Sequence, residues 1–135
     1  MPLKTAPVVI GNTVYQYVDG MGVIAIDKTT GQFNRSPRWV VKNAVQVLSE
    51  DAQYTYLRRK DNRLIAVDKA SGQLAFVSNK HPFEVFVTNT KDSTIYGATK
   101  AGVVWAVRPV LKEGEVGNMV MDFRAVPLET LALAR

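Results

Sequence analysis

The sequence predicts an all-β protein assembled from three four-stranded antiparallel units of about 40 residues each, and three observations carry that prediction. The string VIAIDKTTGQF at 23–33 returns as LIAVDKASGQL at 64–74, 41 residues further on. Set from Ile24 against Ile65, nine residues hold six identities, with mild exchanges at the other three. A weaker third copy follows 40 residues later, where Val104, Trp105, Ala106 and Val107 meet Leu64, Ile65, Ala66 and Val67. Tyr15, Tyr56 and Tyr96 occupy the same place upstream in each copy. The second observation is local composition, which favours β-branched and aromatic residues in short runs separated by turn residues. The third is that helical periodicity is nearly absent before the tail PLETLALAR, where Pro127 is expected to open a short helix.

Each unit reads in the same order. The apolar stretches PVVI (7–10), AVQVL (44–48) and FEVFV (83–87) supply a first strand. TVYQYV (13–18) and GVIAID (22–27) supply the second and third, joined by Asp19-Gly20-Met21-Gly22, whose glycines suit a tight hairpin. In the second copy Lys60-Asp61-Asn62 takes that place. After the third strand comes DKTTGQ (27–32) or DKASGQ (68–73), in which Asp accepts backbone N–H groups and Gly adopts φ > 0 without steric cost. Asp27, Gly31, Asp68 and Gly72 are therefore read as structural turn residues, and a further strand is expected beyond each turn.

Four strands in about 40 residues is the arithmetic of a β-propeller blade. VIAI and LIAV are apolar at successive positions, which requires cover on both faces, and stacked blades give their inner strands that cover. Ala25, Ala66 and Ala106 are small enough for neighbouring sheets to approach closely. The expected divisions within one domain are blade 1 at about 7–36, blade 2 at about 44–78, blade 3 at about 83–123 and a tail at 124–135.

The patterns Ala25-x-Asp27-x-x-Thr30-Gly31 and Ala66-x-Asp68-x-x-Ser71-Gly72 resemble the A-x-D-x-x-T-G core of the quinoprotein, or pyrroloquinoline-quinone-type, propeller repeat. That repeat occurs in quinone-dependent alcohol dehydrogenases and in noncatalytic relatives such as the outer-membrane β-barrel assembly lipoprotein. The resemblance spans about residues 7–108 and implies blades. In the third copy Arg108 replaces the Asp and the Thr-Gly is absent. The family's tryptophan four residues past the Gly is replaced by Arg35 and Phe76. None of the family's cofactor-binding residues is matched, so the resemblance carries no oxidoreductase activity with it.

Composition bounds the remaining classes. With 47% hydrophobic and 21% charged residues in 135, the balance is that of a globular domain. No cysteine is present, which removes disulfides and thiolate metal sites. No apolar run approaches the roughly 20 residues of a membrane helix, and MPLKTAPVVIGNTVY lacks the apolar stretch of a secretory signal. The expectation is a soluble chain, cytoplasmic as it stands and extracytoplasmic if a leader has been cut from it. The net charge of +5 is scattered, with one cluster at Arg58, Arg59, Lys60 and Arg63 that is diluted by Asp61 and read as a solvated loop.

No catalytic, cofactor-binding or metal-binding set is expected. His81 stands alone before Pro82, in a segment joining two units. Asp27 and Asp68 recur once per repeat, as turn aspartates do and as a unique active site does not. Trp39 and Trp105 read as packing residues. The leading function is a noncatalytic scaffold or protein-interaction module whose candidate loops hold Asp19, Gly20, Met21, Arg58, Arg59, Lys60, Arg63 and Lys100. The alternatives are part of a quinoprotein-like oxidoreductase completed by other blades or chains, and a basic nucleic-acid-binding module. Closed propellers have about 4 to 8 blades, so three must be completed. The expected partner is a second copy giving a six-bladed homodimer, or the remaining blades of a larger propeller.

Overall fold

A computed structural model describes residues 6–28, 38–78, 81–113 and 119–126. Among them the protein is all-β, with twelve strands and no helix. The first four are β1 (Val8–Ile10), β2 (Thr13–Val18), β3 (Gly22–Asp27) and β4 (Trp39–Val41), paired in that order as one antiparallel sheet. Its fourth strand lies beyond residue 36, where the first repeat is expected to end. The next four are β5 (Ala44–Glu50), β6 (Tyr54–Arg59), β7 (Leu64–Asp68) and β8 (Leu74–Ser78). The last four are β9 (Phe83–Val87), β10 (Ile95–Thr99), β11 (Val104–Glu113) and β12 (Met119–Ala125). The tail expected to form a helix at Pro127 lies outside the described residues.

The register repeats with the sequence. Tyr15 pairs with Ala25 across β2 and β3, Tyr56 with Ala66 across β6 and β7, and Tyr96 with Ala106 across β10 and β11. One core joins the tyrosine face of the first sheet to the opposite face of β5–β8 and includes Tyr15, Val23, Ala25, Trp39, Leu57, Ile65 and Val67. A second joins the tyrosine face of β5–β8 to β9–β12 and includes Tyr56, Leu64, Ala66, Phe76, Phe86, Ile95 and Met121. The middle quartet is thus apolar and covered on both sides, which is why LIAV needs no alternation. Each large side chain buried this way stabilises the fold by about 1.5–3 kcal/mol relative to exposure.

Three separate sheets are expected from the repeats, whereas the second and third quartets join into one eight-stranded, nearly closed, barrel-like sheet of order β5-β6-β7-β8-β12-β11-β10-β9. The cause is an overhang. Strand β11 pairs with β10 only through Val104–Val107, while its continuation to Glu113 pairs with β12 alone. This ribbon places Val120 and Met121 parallel to Val77 and Ser78 at the edge of β8. At the other end of the sheet, the Asn89 N–H donates to the Leu48 carbonyl at 2.8 Å, drawing β9 towards β5. Pro109 sits in the overhang, where β10 offers no ladder partner and the missing N–H costs nothing.

Candidate interaction surface

The three hairpins that join second to third strands close alike. The amide of Met21 donates to Val18 O at 2.9 Å, that of Asn62 to Arg59 O at 3.0 Å, and that of Gly102 to Thr99 O at 2.9 Å. The chain takes positive φ at Gly20 (84°) in the first, Asn62 (67°) in the second and Gly102 (87°) in the third. Asp19, Gly20, Met21, Lys60, Arg63 and Lys100 are exposed at these tips, as candidate loop residues. Arg58 and Arg59 are placed differently. Both belong to β6 and are half-buried, not solvated loop residues. Arg59 is ion-paired with Asp61, whose carboxyl is drawn down to about 2 chiefly by the hydrogen bond from that guanidinium, with the Arg63 N–H assisting. Arg58 donates through Nε to Gln46 Oε1 at 3.1 Å.

The turn after β7 has the geometry its aspartate suggests. Asp68 Oδ1 accepts the backbone N–H groups of Ala70 and Ser71 at 2.9 and 3.0 Å, and these bonds hold its carboxyl below the usual range. Gly72 donates to Asp68 O at 2.7 Å and lies at φ 74°. In the first sheet Asp27 Oδ2 accepts Arg38 Nη2 at 2.7 Å, while Gly31 lies outside the described residues. Trp39, the first residue of β4, is buried and reaches across to the second quartet, where its Nε1 donates to Lys69 O at 2.9 Å. Tyr15 crosses the same boundary, its hydroxyl donating to Glu50 Oε1 at 2.8 Å, and Glu50 in turn holds Lys69 Nζ at 3.1 Å.

His81 is pinned in the second core's rim. Its Nδ1 accepts the Phe83 N–H at 3.2 Å, so the other ring nitrogen, Nε2, carries the hydrogen and donates to Asn62 O at 2.7 Å. Both nitrogens are committed to backbone groups, and the ring stacks on Phe83. Trp105 is partly exposed and lines, with His81, Phe83, Phe123 and Asp122, an open cleft of about 640 Å³. Trp39 packs as expected of it, whereas Trp105, expected to pack, is 45% exposed and belongs to neither core.

Among the described residues, the most exposed apolar surface lies on β9–β11. Val85 opposes Ala98 and Val87 opposes Tyr96, while Val104 and Ala106 flank the same two residues from β11. These six side chains therefore share one sheet face. Val85, Val87 and Val104 are 62, 64 and 70% exposed. Val23 and Leu64, the counterparts of Val104 in the first two repeats, are 1 and 0% exposed because the next sheet covers them. At the opposite end of the molecule, the outer face of the first sheet carries Val9 and Val40 exposed, with Val14, Ile24 and Ile26 half-buried. Compared with known proteins, the chain matches no family model and no curated sequence.

Proposed function

We propose that the chain is a noncatalytic scaffold, or protein-interaction module, made of three propeller-type blades, and that two copies close end to end as a six-bladed ring. The carrying observation is the uncovered tyrosine face of the third repeat. Within the chain, the tyrosine face of one quartet packs on the opposite face of the next, once at each of two boundaries. The third quartet presents its tyrosine face and the first sheet presents the complementary one, so a second copy extends a packing already used twice. A two-fold axis then gives two equivalent junctions and leaves no apolar end, in keeping with the closed symmetry of soluble homo-oligomers. The resemblance of the Asp27 and Asp68 turns to the quinoprotein-type repeat supports the same reading, with the hairpin tips as the surface offered to a protein partner.

Light scattering at micromolar concentration tests it. The expected mass is about twice 14.9 kDa. Val104→Lys, which places a charge in the proposed junction, is expected to give a monomer with unchanged far-ultraviolet circular dichroism. A well-folded parent that stays at 14.9 kDa overturns the ring.

A further inference from the structure

The edge strand β5 borders a second cleft, of about 290 Å³, that opens between the first sheet, β5 and the end of β9. Val8, Val23, Val45 and Val47 line it together with the polar Gln16, Gln46 and Thr88, and among the described lining residues Arg58 is the one that is charged. Three other cations face carboxylates, Arg38 on Asp27, Arg59 on Asp61 and Lys69 on Glu50, while Arg108 donates through Nε to Thr94 Oγ1 at 3.4 Å. Arg58 instead meets a neutral amide. Gln46 Nε2 donates to the Phe86 carbonyl at 3.0 Å, which turns Gln46 Oε1 towards Arg58 Nε. The guanidinium is thereby held through Nε by an uncharged partner beside a cleft that Arg58 lines, and the planar group carries a fork of Nη donors.

A planar fork of this kind matches a carboxylate through two parallel N–H···O bonds, and a half-buried site strengthens such charge-assisted bonds. The valine walls suit a short hydrocarbon body, and the volume lies at the small end of ligand sites. We propose that this cleft binds a small aliphatic carboxylate, with its oxygens on the Arg58 Nη groups and its chain against Val8, Val23, Val45 and Val47. The site would be distinct from both uncovered sheet faces, so it operates whether or not two copies join.

The test is a nuclear magnetic resonance titration of the whole chain with hexanoate, hexan-1-ol and inorganic phosphate, followed at arginine Nε–H and valine methyl signals. Hexanoate is expected to shift the Arg58 Nε–H signal and the Val23 and Val47 methyl signals together and saturably, at or below about 10 mM. Hexan-1-ol, which lacks the charge, and phosphate, which lacks the chain, are each expected to bind at least about tenfold more weakly, a difference of about 1.4 kcal/mol. Arg58→Gln is expected to lower hexanoate affinity by about tenfold or more, and Gln46→Leu, which leaves the arginine in place but unclamped, by a smaller factor. Should Arg58→Gln alter the fold, Gln46→Leu and the ligand series decide the matter alone. No saturable response to hexanoate, equal binding of phosphate, or undiminished binding by folded Arg58→Gln overturns the proposal.

Discussion

Trp39 lies over the α-carbon of Gly72, so closely that a β-carbon added there would stand 2.5 Å from the indole Cγ. The contact joins the first sheet to the turn of the second quartet, and the indole N–H bond to Lys69 O fixes the ring in place. Gly72 also sits at φ 74°, a conformation that L side chains rarely adopt.

Gly72→Ala is therefore expected to destabilise the fold by about 2 kcal/mol or more, adding overlap with Trp39 to backbone strain of about 1 kcal/mol. In a Trp39→Ala background the overlap is gone, and the same glycine change should cost only the strain. Urea denaturation of the four proteins of this cycle measures the difference. Equal costs in both backgrounds would show that the two residues do not couple.

The clasp between the second hairpin and β9 makes a second expectation. Asn62 accepts His81 Nε2–H through its carbonyl and donates its side-chain amide to Phe83 O at 2.9 Å, while holding φ at 67°. Asn62→Ala loses the amide bond and strains the backbone, for a cost of about 1–2 kcal/mol. Asn62→Gly relieves the strain and keeps the His81 bond, so it should cost less than the alanine change. Thermal melting of the two variants orders them, and a glycine variant less stable than the alanine one contradicts the assignment.

Alkaline pH addresses the two inter-strand tyrosines. Burial raises the Tyr15 hydroxyl above its ordinary value, with the Glu50 bond adding to the rise, and burial together with the Asp51 carboxylate does the same for Tyr56. Because the folded pKa is the higher, the stability these hydroxyls contribute is fully present below the unfolded value near 10 and drains as pH rises past it. Ultraviolet titration should show their ionisation coinciding with loss of the native circular dichroism above about pH 10. Phenolate absorbance from Tyr15 or Tyr56 in the intact fold at lower pH would contradict this.

Acid works on Asp61 with the opposite sign. Its folded pKa, near 2, lies below the ordinary 3.8, so its contribution is present above about pH 4 and lost as pH falls towards 2. The pair joins a half-buried Arg59 to an exposed Asp61, and solvent screening on the exposed side limits the effect to about 1 kcal/mol at most. Asp61→Asn should lower stability at neutral pH by that amount and flatten the acid limb in urea midpoints. An acid limb identical to the parent's would assign the loss to other carboxylates.

Much of the strand content was legible because the repeat states it several times. Tyr15, Tyr56 and Tyr96 each face the alanine that the alignment sets ten residues on, and the Asp68–Gly72 turn closes as its residue types require. The joining of β8 to β12 was not legible, since it depends on how far β11 runs past its partner and on a parallel pairing 43 residues apart, Val77 with Val120. Trp39 reads as a packing residue, but its partner Gly72 is set by the crossing of two sheets, which no local pattern encodes. Arg58 was the largest displacement. Adjacent basic residues read as one solvated cluster, yet alternation along β6 sends Arg58 towards Gln46 while Arg59 meets Asp61.

The two sheets also differ in how the chain can come apart. Among the described residues, every ladder bond of β1–β4 stays within that sheet, and its hold on the rest comes through side chains such as Trp39 and Tyr15. The other eight strands are tied together through the β8–β12 pairing and the Asn89–Leu48 bond. Amide protons of β1–β4 can therefore exchange through detachment of the first sheet alone, whereas those of β6, β7 and β8 must wait for the larger unit to open. Two protection classes, divided between Val41 and Ala44, are what a single short connection between unequally tethered sheets imposes on the native-state fluctuations.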